Sequence, residues 1–264
     1  MKNPLAKKIR NVPSKKRYSK KVGLAPGSLV HTGKVMTAEP TITTLEYEGE
    51  RVTEQTFTAV DVGKLKPPAQ GRLWLNVHGL HDAELIKQLG QTFKLHPLVL
   101  EDILNTDQRP KADSYEEYLY IVTRCFYYDQ AQKEVSSEQI SLVLGHNFVL
   151  TFQERATGSF EPVRVRLRAD RAHIRELGAD YLAYALLDVV VDRYFVVLEQ
   201  MGDDCEALEE ELLHKPSTIL LHNIHQLKRS SMELRRALWP LREVVNSLIR
   251  NDGGFFTANT VLYL

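Results

Sequence analysis

The feature that most constrains the fold is a row of residues in alternating steps of four and three: Leu220, Ile224, Leu227, Ser231, Leu234, Leu238, Leu241, Val245 and Leu248. Such steps fall on one stripe only in an α-helix, and a stripe this long has to be buried against another helix. Just upstream, the apolar run from Tyr181 to Leu198 supplies a partner, broken only by Asp188, Asp192 and Arg193. The run is long enough to span a bilayer, but each of those charges costs about 2.5–3.5 kcal/mol near the bilayer centre. The spacing therefore predicts two long helices, one from about Ala179 to Leu213 and one capped by Ser217, folded back on each other at Lys215-Pro216-Ser217. Pro240 is expected to kink or locally break the second, because it cannot donate to the carbonyl of Arg236. Asn251-Asp252-Gly253-Gly254 is expected to end it.

The preceding stretch has a different rhythm. Thr41 to Glu48 and Arg51 to Phe57 are short strand candidates split by Gly49, and Arg72 to Val77 alternates like a strand. Asp82 to Phe93 has helical spacing at Leu85, Ile86, Leu89 and Phe93. Tyr118 to Tyr128 is rich in aromatic and β-branched residues, and Ile140 to Leu144 with Phe148 to Phe152 reads as a hairpin around Gly145-His146-Asn147. The expected class is α/β (α+β): a mixed sheet covered by helices, followed by a long antiparallel helical hairpin. The chain divides into a tail (1–30), an α/β unit (31–165), the hairpin packed on it (166–254) and the start of a further element (255–264).

Charge separates the tail from the rest. The 264-residue chain balances 34 basic against 34 acidic residues, yet nine of the basic ones lie before Val22 with no acid among them, so the remainder carries nine more acids than bases. The tail has too few apolar residues to offset its ordering entropy and is expected to be disordered. A solvated tail and a contact with anionic lipid both fit it, whereas no stacking pattern supports nucleic-acid binding. The basic start is not followed by an apolar stretch, so no secretory leader is expected. Cys125 and Cys205 show no metal-ligand pairing and suit a reducing compartment. There is no phosphate loop, dinucleotide fingerprint or nucleophile elbow, and no enzymatic activity is expected.

Two sets of carboxylates are candidates for chemistry. In His96 to Lys111, HPLVLEDILNTDQRPK, Pro97 suits a first helical position, and Leu98, Leu100, Ile103 and Leu104 can cover a buried side. Glu101 and Asp102 are left at the helix edge, where such acids either face water or offer oxygens to a hard divalent cation. Asp188 and Asp192 lie four residues apart on an apolar helix, where their repulsion needs an arginine, a proton or a cation to relieve it. The acids from Asp203 to Glu211 read as a solvated helix end, and His78 with His81 or His222 with His225 lack the further ligands of a zinc site.

The HPLVLEDILNTDQRPK segment, EQISLVLGHNFVLTFQE (Glu138 to Glu154), ADYLAYALLDVVVDRYFVVLE (Ala179 to Glu199) and HQLKRSSMELRRALWPLREVVNSLIR (His225 to Arg250) together resemble the cytoplasmic domain of the CorA family of magnesium and cobalt transporters, over roughly residues 70 to 264. The resemblance implies a domain that senses cytosolic Mg2+, with Co2+ also possible, and gates a pore through carboxylates shared between subunits of a homopentamer at the inner membrane. By motif, Asp102 matches the main sensing aspartate, Glu101 a neighbouring ligand and Asp188 the aspartate that joins it, while Asp192 matches none. Residues 255–264 then match the start of a stalk helix whose membrane-spanning continuation and Gly-Met-Asn signature are not in this chain. A fragment without that stalk is expected to be monomeric or to assemble poorly. The alternatives are a zinc-transporting sister of the family, a soluble metal-dependent hydrolase using the same three acids, and a helical interaction module.

Overall fold

The computed structural model describes residues 23–57, 62, 65–169, 173–214, 217–250 and 253–264. The basic start of the tail, the Lys215-Pro216 turn and Asn251-Asp252 lie outside them. Seven strands form one sheet: β1 (Thr41–Glu48), β2 (Arg51–Phe57), β3 (Arg72–His78), β4 (Lys111–Ser114), β5 (Tyr118–Asp129), β6 (Glu134–Gly145) and β7 (Phe148–Gln153), in the order β2-β1-β3-β7-β6-β5-β4. Every neighbouring pair is antiparallel except β3 and β7, whose parallel register sets Leu73 against Phe148 and His78 against Gln153. The sheet is therefore mixed, as expected.

Alternation along the strands sorts the side chains into two cores. Leu73, Leu75 and Val77 of β3, with Tyr118, Tyr120 and Val122 of β5, face α1 (Ala83–Thr92) and α2 (Pro97–Leu104). Trp74, Leu119 and Ile121 face the other way, onto α3 (Glu161–Arg168), α4 (Ala179–His214) and α5 (Thr218–Arg250). Both faces are covered, which is why so many strand residues are apolar on both sides.

Asp82 caps α1 by accepting from the amides of Glu84 and Leu85, and Pro97 opens α2 after a cap at His96. Buried Gly90 of α1 lets α2 approach closely: a β-carbon there would lie 2.4 Å from Leu100 Cδ1. Within α2 the buried residues are Val99, Leu100, Ile103 and Leu104, whereas Leu98 points to solvent. Residues 27–32, divided by the sequence reading between tail and α/β unit, run along α2, where the Thr32 amide donates to the Leu104 carbonyl at 3.2 Å.

The hairpin forms as expected, but its seam is shifted. Leu220, Leu227, Leu234, Leu241 and Leu248 are buried, whereas Ile224 and Ser231 are exposed and Leu238 and Val245 only half-buried. The second row of the stripe is Ser230, Ala237 and Val244, one residue earlier. The cause is a second neighbour: α5 packs on β4, β5 and β6 as well as on α4, and small residues let it approach the sheet. At that contact the Val135 amide donates to Ser230 Oγ at 3.4 Å. Ser217 caps α5 as expected, accepting from the Leu220 amide at 3.3 Å. The helix continues through Pro240 without a break, so packing on two partners outweighs one lost backbone bond. After α5, Thr257 caps a short α6 (Ala258–Val261) that rests on α4.

Candidate metal centre

Asp102 sits in the last turn of α2, where three contacts hold it. Its backbone carbonyl accepts from Gln139 Nε2 of β6 at 2.9 Å. Its Oδ1 accepts from Gln108 Nε2 at 2.6 Å, and its Oδ2 lies 2.7 Å from Lys111 Nζ. The loop between α2 and β4 is itself pinned: the Gln108 amide donates to Gln139 Oε1 at 3.0 Å, and Arg124 donates to the Thr106 and Gln108 carbonyls. Glu101, one residue earlier, accepts the Gly27 amide on Oε2 at 2.7 Å.

Lys111 opens β4. Its ammonium bridges Asp102 and Asp113, the latter at 2.6 Å, and lies 5.7 Å from the centre of the Tyr120 ring. Burial works against its charge, but the hydrogen bonds and charges of the two aspartates outweigh it and raise its pKa above the usual lysine value. It is a fixed cation at neutral pH.

Asp188 sits in the N-terminal third of α4, half-buried, with Asp192 exposed one turn on. Burial, then the negative charge of Asp192, pushes the Asp188 carboxyl above its ordinary value, while Arg166 and the Tyr184 hydroxyl pull it back. The arginine that relieves Asp188 is thus Arg166 of α3, and it compensates only in part.

The two sets of carboxylates are not brought together. Glu101 and Asp102 belong to the helix layer on one face of the sheet, and Asp188 to the layer on the other. Among the described residues, no three His, Cys, Asp or Glu side chains are placed to hold a metal ion. The histidine pairs add nothing: His78 is buried against Asn76, with its pKa lowered to about 4 by burial and Arg164, and His222 and His225 are exposed. In the acidic run, Asp204 is not simply solvated, because it takes hydrogen bonds from Tyr128 and Lys133 that tie α4 to the β5–β6 turn.

Residues 69–264 match the family model described as CorA-like Mg2+ transporter protein. A relative in Thermotoga maritima, the cobalt/magnesium transport protein CorA, is 44% identical over 250 residues, which is 94% of this chain and 70% of that protein. The chain belongs to the CorA family. The fold agrees: the soluble domain of CorA from Methanocaldococcus jannaschii superposes with a TM-score of 0.67 at 15% identity, covering 84% of each chain. The ZntB cytoplasmic domain from Vibrio parahaemolyticus superposes with a TM-score of 0.65 at 12% identity, covering 85% of each chain, so this fold alone does not distinguish the two. Among the described residues of this CorA-family chain, no helix is long and apolar enough to cross a membrane.

Sequence reasoning missed the groups that hold the carboxylates. Gly27 lies 74 residues from Glu101 and Gln139 lies 37 from Asp102, separations across which no periodicity gives a signal. It also missed Asp180, in the first turn of α4, which accepts from the amide and hydroxyl of Thr257, both at 2.9 Å. An acid in a first helical turn was the available sign, but it ordinarily marks only the helix start.

Proposed function

We propose that this chain is the cytosolic divalent-cation-sensing part of a CorA-like transporter of Mg2+ and Co2+. Glu101, Asp102 and Asp188 are then ligands of sites completed by neighbouring copies in a homopentamer, and the membrane is reached through a segment C-terminal to Leu264. The observation that supports this most is the placement of the acids on opposite sides of one sheet. Ligands directed to opposite faces cannot close on one ion within a copy, but they can each meet a neighbour.

The donor set fits a hard cation, since all three groups are carboxylates. Asp188 adds a physical reason, because its charge is raised in energy by burial and by Asp192. At Asp188 a bound divalent cation supplies positive charge that Arg166 provides only in part. Without it, carboxylates of adjacent copies repel and loosen the interfaces. With it, the closed symmetric arrangement is favoured, in proportion to the difference in cation affinity between the two states.

Limited proteolysis of the full-length protein tests this reading. Mg2+ is expected to protect the wild type, and Asp102→Ala or Asp188→Ala to weaken that protection. Unchanged protection in the double variant would remove both residues as sensors.

A further inference from the structure

We infer that Lys111 is a tethered competitor for the cation at Asp102, and so sets how much divalent cation that carboxylate requires. The inference rests on the reading of Asp102 as a metal ligand. Both Asp102 oxygens already have donors, Gln108 Nε2 at 2.6 Å and Lys111 Nζ at 2.7 Å. A divalent ion that ligates Asp102 directly has to displace one of them. An ion held through a water still lies beside a fixed ammonium of like sign, which lowers its affinity.

The lysine is built to exchange rather than to seal the site. Its backbone is fixed by pairing with Val122 of β5 and its ammonium is placed near the Tyr120 ring. Asp113 offers a second anchor, 2.6 Å from Nζ. When a cation takes Asp102, the ammonium keeps a carboxylate partner and is not left unpaired. Asp113 is therefore part of the device: it draws Lys111 away from Asp102 and lowers the cost of the exchange. Asp188, by contrast, is opposed by the charge of Arg166 and the hydroxyl of Tyr184 rather than by a tethered ammonium shared with a second carboxylate, so the competition is placed at Asp102.

The experiment measures the Mg2+ concentration giving half-protection of the full-length protein from proteolysis, with the thermal midpoint in chelator recorded for each variant. Lys111→Gln keeps a donor and removes the charge, and its half-protection point is expected to fall about tenfold. Lys111→Arg, which keeps the charge, is expected to remain within about twofold of wild type, since twofold is well under 1 kcal/mol. Asp113→Asn leaves the lysine to Asp102 alone and is expected to move the point upward. Lys87→Gln removes an equivalent charge from an exposed pair with Glu84 and is expected to change nothing. An unchanged or raised point in Lys111→Gln, or an equal fall in Lys87→Gln, overturns the inference. Loss of protection in Asp102→Asn alongside such a result leaves the ligand reading standing without the competitor. An Asp102→Asn variant that behaves as wild type removes the ligand reading and the competitor together. If Lys111→Gln does not melt cooperatively, Asp113→Asn carries the test alone, and a fall there counts against the inference.

Discussion

The end of α2 and the N-terminal part of α4 carry acids of the same kind in opposite states. At the end of α2, each carboxylate is met by donors of its own chain: Glu101 by the Gly27 amide, Asp102 by Gln108 and Lys111. In the N-terminal part of α4, Asp188 faces Asp192 and has its pKa raised. One region has its charge already matched, so a cation there must displace a partner or lie beside a fixed ammonium. The other holds repulsion relieved only in part, so a cation there removes a cost. A site drawing on both kinds of carboxylate takes its threshold from the first and its driving force from the second.

The largest expected effect breaks the first region. Gln139 is fully buried and serves both the Asp102 carbonyl and the Gln108 amide. Gln139→Ala leaves both groups without their partner and is expected to cost about 2–6 kcal/mol, at roughly 1–3 kcal/mol per orphaned group. Chemical denaturation without metal measures it.

Asp180 sharpens the comparison from within α4, because it is a matched acid on the helix of the unmatched one. Burial opposes its charge, but hydrogen bonds from Thr260 and Thr257 outweigh that and hold its carboxyl below the ordinary value. Asp180→Ala is expected to destabilise the chain by about 1–2 kcal/mol through its hydrogen bonds to Thr257. A depressed folded pKa means the contribution is complete above the usual carboxylate value of 3.8 and is lost as pH falls through the folded value. The difference between wild type and Asp180→Ala should therefore shrink in acid.

Asp188 gives the smallest effect, of opposite sign. Asp188→Asn is expected to stabilise the metal-free chain by a few tenths of a kcal/mol at pH 7, the usual size of like-charge repulsion one helical turn apart. Here the folded pKa is raised, so the folded chain binds the proton first and the penalty disappears as pH falls through that value. Thermal midpoints of wild type and Asp188→Asn should converge on acidification. A variant less stable than wild type at neutral pH would mean that Asp188 is matched after all.

What could be read in the sequence follows from where the signal is local. The bounds of β1 and β2, the cap at Ser217 and the fold-back of the two long helices are written in residues a few positions apart. β4 was missed because Lys-Ala-Asp-Ser has no apolar alternation and is a strand only by pairing with β5. α3 was not separated from the long helices because Glu-Pro-Val-Arg-Val-Arg-Leu-Arg buries only Val163, Arg164 and Leu167. The seam of α5 was read one residue late in alternate steps because a heptad assumes one partner, and the sheet is a second. At the site, spacing placed Glu101 and Asp102 on a helix edge but could not give the donors that meet them. Gly27 and Gln139 arrive through tertiary structure, and Lys111 through the start of a strand that was not seen.

Anomalous scattering from Co2+ in crystals of the assembled full-length protein tests the central claim most directly. A peak within direct or single-water reach of Asp102, and bounded on its other side by a second copy of the chain, is the expected result. A cobalt ion ligated entirely within one copy, or no peak at Asp102 under saturating Co2+, would contradict it.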